Sequence, residues 1–529
     1  EQAVEWLYNY EAIGNAEADN YGWTQQQLLY AVQDTVINPN AGSVSDVKTA
    51  NVTGNNITFI SNTGNLGVVD KQTTTIGVDE LADLFTRDIT KNPLTEKEQE
   101  QLDTLASARA GDVVWGDTAI TIERTTPVSI KLNKNSDGKT TGMVTVQSKD
   151  GVTTDHIYLL AKDSVLNVDK FAANDLRLSG QEGLNVNEVI GNSIYLEGGS
   201  GDIGHKVNDA LQAVQVTLTN NGYVSANAAG NIKLQQILEN PDEIVDFTLG
   251  SVAGTNVDIT ANGNIVSKAD DIGYINASDT INLVSTGGGI GTTTKGLRIK
   301  NSGAVVNTNV QNAINIEAKQ DGTLILGTME QDTGGVNVDS EGSIYIGHEN
   351  DPETAENEYV EGYIDAKDDV NLHAAEDIII SGKLHVNKND GNLNLHADNG
   401  DITQTTIDEA ENIAVENLTV AAINGNVELA NKHNVIGNVD IMAVGGSLGL
   451  TVSNPAGFNV DMGGFTNKQG GDIKLTNSDG SVNITTKDIV DQAQKDPANI
   501  NGSLTVTADK LVEETEANVN NYGILNAAG

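Results

Sequence analysis

The chain contains no cysteine, and aromatic residues make up only 4% of its 529 residues. Without Cys there is no disulfide framework, no Cys-ligated zinc and no thiol nucleophile. Basic residues are also scarce: 30 Lys+Arg stand against 74 Asp+Glu, a formal charge of −44. A surface this negative repels phosphate backbones, which excludes nucleic acid as a partner. No run approaches ~18 consecutive apolar residues, so membrane insertion is not expected. The chain starts at Glu1, and no basic stretch followed by an apolar one marks a secretory signal. It is read as a segment of a larger protein.

What is present is Gly, 55 residues of it, with at least as much Asn and abundant Thr, Val and Ile. Hydrophobic residues at 38% fall below the roughly 45–50% of globular domains. Length alone suggests three or four domains of about 100–200 residues. The composition instead describes many short strands and tight turns around a thin core.

One phrase recurs along most of the chain: Gly or Asp, then Asn, Asp, Ser or Thr, then aliphatic–polar–aliphatic. It appears as Gly54-Asn55-Asn56-Ile57-Thr58-Phe59, Gly191-Asn192-Ser193-Ile194-Tyr195-Leu196 and Gly230-Asn231-Ile232-Lys233-Leu234. It returns at Gly342-Ser343-Ile344, Gly391-Asn392-Leu393, Gly425-Asn426-Val427, Gly437-Asn438-Val439, Gly471-Asp472-Ile473 and Gly480-Ser481-Val482. Each reads as a turn, where Gly and Asn tolerate positive φ, followed by a strand too short to stand alone. First aliphatics fall nine residues apart at Ile272, Ile281 and Ile290, and again at Leu384, Leu393 and Ile402. A sandwich or propeller needs longer strands and more aromatic wedges. The spacing predicts an all-β fold, a parallel β-helix with two or three strands per coil. Coils of about 20 residues, rising about 4.8 Å each, would stack roughly 20 deep into a rod on the order of 100 Å long.

Residues 1–529 are accordingly read as one elongated segment with three excursions. Helical insertions are expected at about 1–38 and at about 79–110. In the second, Leu81, Leu84 and Phe85 form a stripe, Asn92-Pro93 breaks it, and Thr95-Glu96-Lys97-Glu98 is a capping box. An acidic loop is expected at about 348–361.

Two phrases, Gly288-Gly289-Ile290-Gly291-Thr292-Thr293-Thr294-Lys295-Gly296-Leu297-Arg298-Ile299 and Gly201-Asp202-Ile203-Gly204, carry a family resemblance. They resemble the repeat region of filamentous-haemagglutinin-type exoproteins, in particular the leukotoxin-like large filamentous adhesins of anaerobic Gram-negative bacteria. The insertion ending in Ala108-Arg109-Ala110-Gly111-Asp112-Val113 is similar to insertions of that group, and the resemblance covers roughly residues 40 to 510. It implies a right-handed β-helix exported through an outer-membrane secretion partner to the bacterial cell surface. It also implies a role in attachment through a glycan or protein receptor, with toxicity in some members. The secretion domain's Asn-Pro-Asn motif is met only by Asn38-Pro39-Asn40 in a helical context, and no secretion role is carried onto it.

Because β-helices also include pectin-degrading enzymes, catalysis is weighed. Arg298-Ile299-Lys300, Asp270-Asp271 and Asp368-Asp369 match parts of the polygalacturonase pattern, whose carboxylates do acid/base work. Gly-His-Gly and Asn-Thr-Asp are missing, and a strand with a solvent-facing cation is the simpler reading. Pectate-lyase chemistry would need a calcium cluster that sequence does not reveal. Gly445-Gly446-Ser447-Leu448-Gly449 fits G-x-S-x-G, but no helix follows and it reads as another corner. Asn133-Lys134-Asn135-Ser136-Asp137-Gly138 opens like a calcium loop, yet Val144 stands where a bidentate Glu is required, so a hairpin turn is expected. Weak, diffuse Ca²⁺ binding by the net charge is expected instead of a tight site, and no cofactor. His373, His385 and His396 have spacing that neighbouring coils can bring together, and a stacked pair can bind a transition metal or sense pH. Isolated surface imidazoles are the default. Trp6, Trp23 and Trp115, with Tyr8, Tyr10, Tyr21 and Tyr30, are read as anchors of the insertions, with a contact surface as the alternative.

No catalytic, cofactor-binding or metal residue is assigned. The expectation is a non-enzymatic, secreted, surface-associated adhesin shaft. A carbohydrate-active β-helix enzyme or a leukotoxin-like exotoxin is the alternative.

Overall fold

A corner followed by an aliphatic–polar–aliphatic triplet yields a strand with one apolar side and two open hydrogen-bonding edges, which demands a neighbour on each edge. The computed structural model shows how these demands are met. It describes residues 50–508, 526 and 527, less 78–79, 81–82, 85–91, 107–112, 116–118, 149–153, 239, 241–242, 269–273, 320–321, 348–361, 388–390, 406–412, 486–492, 494 and 497. The expected helices at about 1–38 and the acidic loop at about 348–361 lie outside the described residues. Packing divides the chain into two units, Glu1–Asn262 with Val266–Ser278, and Gly263–Ile265 with Asp279–Gly529.

The second unit is a parallel β-helix with three strand columns. In the first, Val336 is the register partner of Val370, followed by Leu393, Leu418, Val439 and Val460 on successive coils. In the second, Ile344, Ile378, Ile402, Val427, Leu448 and Ile473 stack in the same way. In the third, Ile364, Leu384 and Ile413 stack. All these side chains are buried, and each contributes about 1.5–3 kcal/mol by leaving water. Leu384, Leu393 and Ile402 therefore fall in three different columns. Their nine-residue spacing is the step from one face to the next, and a full coil takes 23 residues at Asn371 to Asn394.

In the first unit the coil length varies, from 18 residues at Asn167 to Asn185 to 25 at Asn231 to Asn256. Leu159 pairs in register with Leu178, Leu178 with Leu196, and Leu196 with Ala226. A second column runs through Val144, Val168 and Val186. Among the described residues, two excursions with strands of their own leave these columns. The hairpin Ile203–Val207 with Ala210–Gln212 turns at Asn208 and Asp209, both at positive φ (51° and 64°), as a tight hairpin turn requires. The other joins a three-stranded antiparallel sheet, Val68–Gly77, Ala119–Thr126 and Val113–Trp115, to the helix Glu96–Ala106.

The strands of that sheet flank the range of about 79–110 expected to be helical, and the helix Glu96–Ala106 falls inside it. These strands are rich in β-branched residues, and Ile76, Ile120 and Ile122 are fully buried, so the excursion has a small core of its own. The helix starts at the expected capping box. The Thr95 N–H donates to Glu98 Oε2 at 2.7 Å and the Glu98 N–H donates to Thr95 Oγ1 at 3.3 Å, the reciprocal arrangement that satisfies two open N–H groups. Of the first stripe, Leu84 is helical and buried, while Leu81 and Phe85 lie outside the described residues.

A correction concerns the glycines of the repeated phrase. Among those quoted above and described, only Gly471 has positive φ (130°). Several of the others, among them Gly191, Gly342, Gly425 and Gly480, are small because coil presses on coil: a Cβ on Gly342 would lie 2.1 Å from the Gly322 carbonyl oxygen.

Candidate functional site

The polar residue of each triplet points out of the coil, and parallel stacking places equivalent residues on top of one another. Asn fills this position repeatedly. Asn337 Nδ2 donates to Asn315 Oδ1 at 2.9 Å, Asn371 to Asn337 at 2.6 Å and Asn394 to Asn371 at 2.5 Å. A second ladder, on the residue immediately before the column aliphatic, runs from Asn392 through Asn417, Asn438 and Asn459 to Asn483, at 2.8–3.3 Å per step. Each amide donates to one coil and accepts from the next, so the ladder reports the coil register on the outer surface.

The corner residue of the phrase has its own task. Asp377 Oδ1 accepts the Asp401 N–H at 2.7 Å, Asp401 accepts that of Asn426 at 2.7 Å, and Asn426 accepts that of Ser447 at 2.8 Å. Short acceptors are needed here because the strand ladder stops at the corner and leaves these N–H groups open. Asp202 does the same for Asn231, taking its N–H at 3.0 Å and its Nδ2 at 3.1 Å. Burial alone would raise the Asp202 carboxyl. The Asn231 N–H and the Lys206 ammonium outweigh it and hold the pKa below the ordinary 3.8.

The outward column that holds Asp339, His373 and His396 in register contains the densest chemistry. His373 Nδ1 lies 2.8 Å from Asp339 Oδ1, and its Nε2 lies 3.2 Å from Asp398 Oδ2. His396 Nε2 lies 3.1 Å from the other Asp398 oxygen, Oδ1. The two rings meet edge to face with centroids 4.9 Å apart. Both imidazoles are about half exposed, at 45% and 44%. His385 is not part of the group, since it belongs to the third column beside Asp365 and Ala414.

The remaining sequence candidates take other places. Arg298 is only 3% exposed, beside Glu317 in the ladder, which corrects the solvent-facing cation expected there. Asp369 caps the next coil, accepting the Asn392 N–H at 2.9 Å and its Nδ2 at 2.8 Å. Asp270 and Asp271 lie outside the described residues. Ser447 stands at a corner and is followed by the strand Leu448–Val452. Asn135 closes a hairpin turn, its side-chain oxygen accepting the N–H groups of Asp137 and Lys139. Trp6, Trp23, Tyr8, Tyr10, Tyr21 and Tyr30 lie outside the described residues, and Trp115 pairs its backbone with Ile120.

The fold and its outward columns define a parallel β-helix repeat protein. No family model, curated protein or solved structure matches the chain.

Proposed function

We propose that this chain is the structural and adhesive shaft segment of a secreted filamentous adhesin on a bacterial surface. In this reading it attaches the cell to host cells or to other bacteria through a glycan or protein receptor. The observation that carries the reading is the outer surface of the second unit. Two asparagine ladders and a column of corner caps tie each coil to the next. Most of the polar positions discussed above are thereby used for stacking. The charge of −44 supports it too, because like charge keeps an exposed repeat protein from associating sideways.

Beads coated with the protein are expected to attach to epithelial cells or bacterial partners above the level of beads coated with an unrelated protein of equal charge. Absence of attachment, or release of reducing sugar from acidic polysaccharides, overturns the reading.

A further inference from the structure

The Asp339–His373–His396–Asp398 group has more electron pairs than protons. A neutral imidazole carries one N–H, yet both nitrogens of His373 face carboxylates. If Nδ1–H is donated to Asp339, the Nε2 lone pair of His373 points at Asp398. The same carboxylate meets the Nε2 of His396 with its second oxygen. Three donor atoms, two imidazole nitrogens and a carboxylate oxygen, thus lie within 4.8 Å of one another. A cation at their centre removes the repulsion.

We propose that His373, His396 and Asp398 bind one divalent transition-metal ion of the Zn²⁺, Ni²⁺ or Cu²⁺ class. Two imidazoles and one carboxylate suit these borderline ions, whereas Ca²⁺ and Mg²⁺ want oxygen ligands throughout. Tetrahedral bonds of about 2.0–2.1 Å need donors roughly 3.3 Å apart. Each imidazole nitrogen already lies at that separation from one Asp398 oxygen, His396 Nε2 3.1 Å from Oδ1 and His373 Nε2 3.2 Å from Oδ2, and rotation of the half-exposed rings and carboxylate brings one oxygen and both nitrogens onto a single ion. A water fills the fourth position. Asp339 fixes the tautomer of His373 and turns its Nε2 toward the ion, the carboxylate–histidine–metal arrangement common in metal sites. His373 and His396 stand on consecutive coils, so the bound ion clamps one coil to the next. Protonation of His373 is the competing way to satisfy the same atoms, and the experiment separates the two.

The full chain is titrated with ZnCl₂ at neutral pH by calorimetry, with excess Mg²⁺ present to occupy diffuse sites. One saturable equivalent and a rise in the thermal midpoint are expected. His373→Ala and His396→Ala should each weaken binding at least ~10-fold and abolish the thermal shift, and Asp339→Asn should weaken it roughly 10-fold. His385→Ala, on another column, should change neither reading, and far-ultraviolet circular dichroism checks that each variant folds. Zn²⁺ affinity that is the same in His373→Ala and His396→Ala as in the unmodified chain overturns the proposal. So does the absence of saturable binding up to millimolar Zn²⁺, which would leave the proton as the cation at this place.

Discussion

Gly425 faces the carbonyl oxygen of Gly400 on the preceding coil so closely that a Cβ would lie 1.9 Å from it. That oxygen belongs to the backbone, so the clash cannot be relieved by moving a side chain. Gly425→Ala is therefore expected to destabilise the protein by about 1–3 kcal/mol or more, read from the denaturation midpoint. Gly138 supplies the contrast: its φ is 75°, and a Cβ added there would meet no atom within 4 Å. Gly138→Ala pays only for its backbone conformation, about 1–2 kcal/mol. A smaller loss at Gly425 than at Gly138 would contradict the packing account.

Asn337 is a middle rung: it donates to Asn315 and accepts from Asn371. Asn337→Ala removes both bonds and takes a partner from the buried Asn315 and the half-buried Asn371, for an expected loss of about 1–3 kcal/mol. Asn483 ends its ladder, is exposed and makes one such bond, to Asn459. Asn483→Ala should cost less than Asn337→Ala in urea denaturation, and equal losses would argue that the ladders add nothing to stability.

The Tyr363 hydroxyl donates to the Glu330 carboxylate. That bond, helped by burial and by the charges of Glu330 and Asp365, raises the phenol from 10.0 to about 12. Absorbance titration should show one tyrosine ionising near that pH, and Glu330→Gln should return it toward 10.0. Since the folded value lies above the unfolded one, the stabilisation is complete below pH 10 and is lost as pH rises through about 12. An unshifted titration of Tyr363 in the unmodified protein would remove the bond from the account.

The β-helix is legible because its signal is local. A corner, an aliphatic, a polar residue and an aliphatic are enough to define a strand, and their recurrence defines the coil. The antiparallel sheet is not legible, because Val68–Gly77 and Ala119–Thr126 are far apart in sequence and neither begins with the corner phrase. The histidine group is legible in half. The separation of His373 and His396 is one coil, but excluding His385 requires knowing that nine residues advance the chain to a new face. Asp339 enters only through the 34-residue step to His373, which hides it from a search at the normal coil spacing. At Gly342 and Gly425 the repeated phrase marks the right glycines but suggests the wrong reason for them, since sequence does not show that the opposing carbonyl sits so close to the Cβ position.

The ladder bond between Asn337 and Asn371 spans 34 residues at 2.6 Å, and the next one, between Asn371 and Asn394, spans 23 at 2.5 Å. Extra chain between rungs thus leaves the rungs unaltered. The fold can accept new sequence between coils, by natural variation or by grafting of an epitope, while neighbouring rungs keep their bonding.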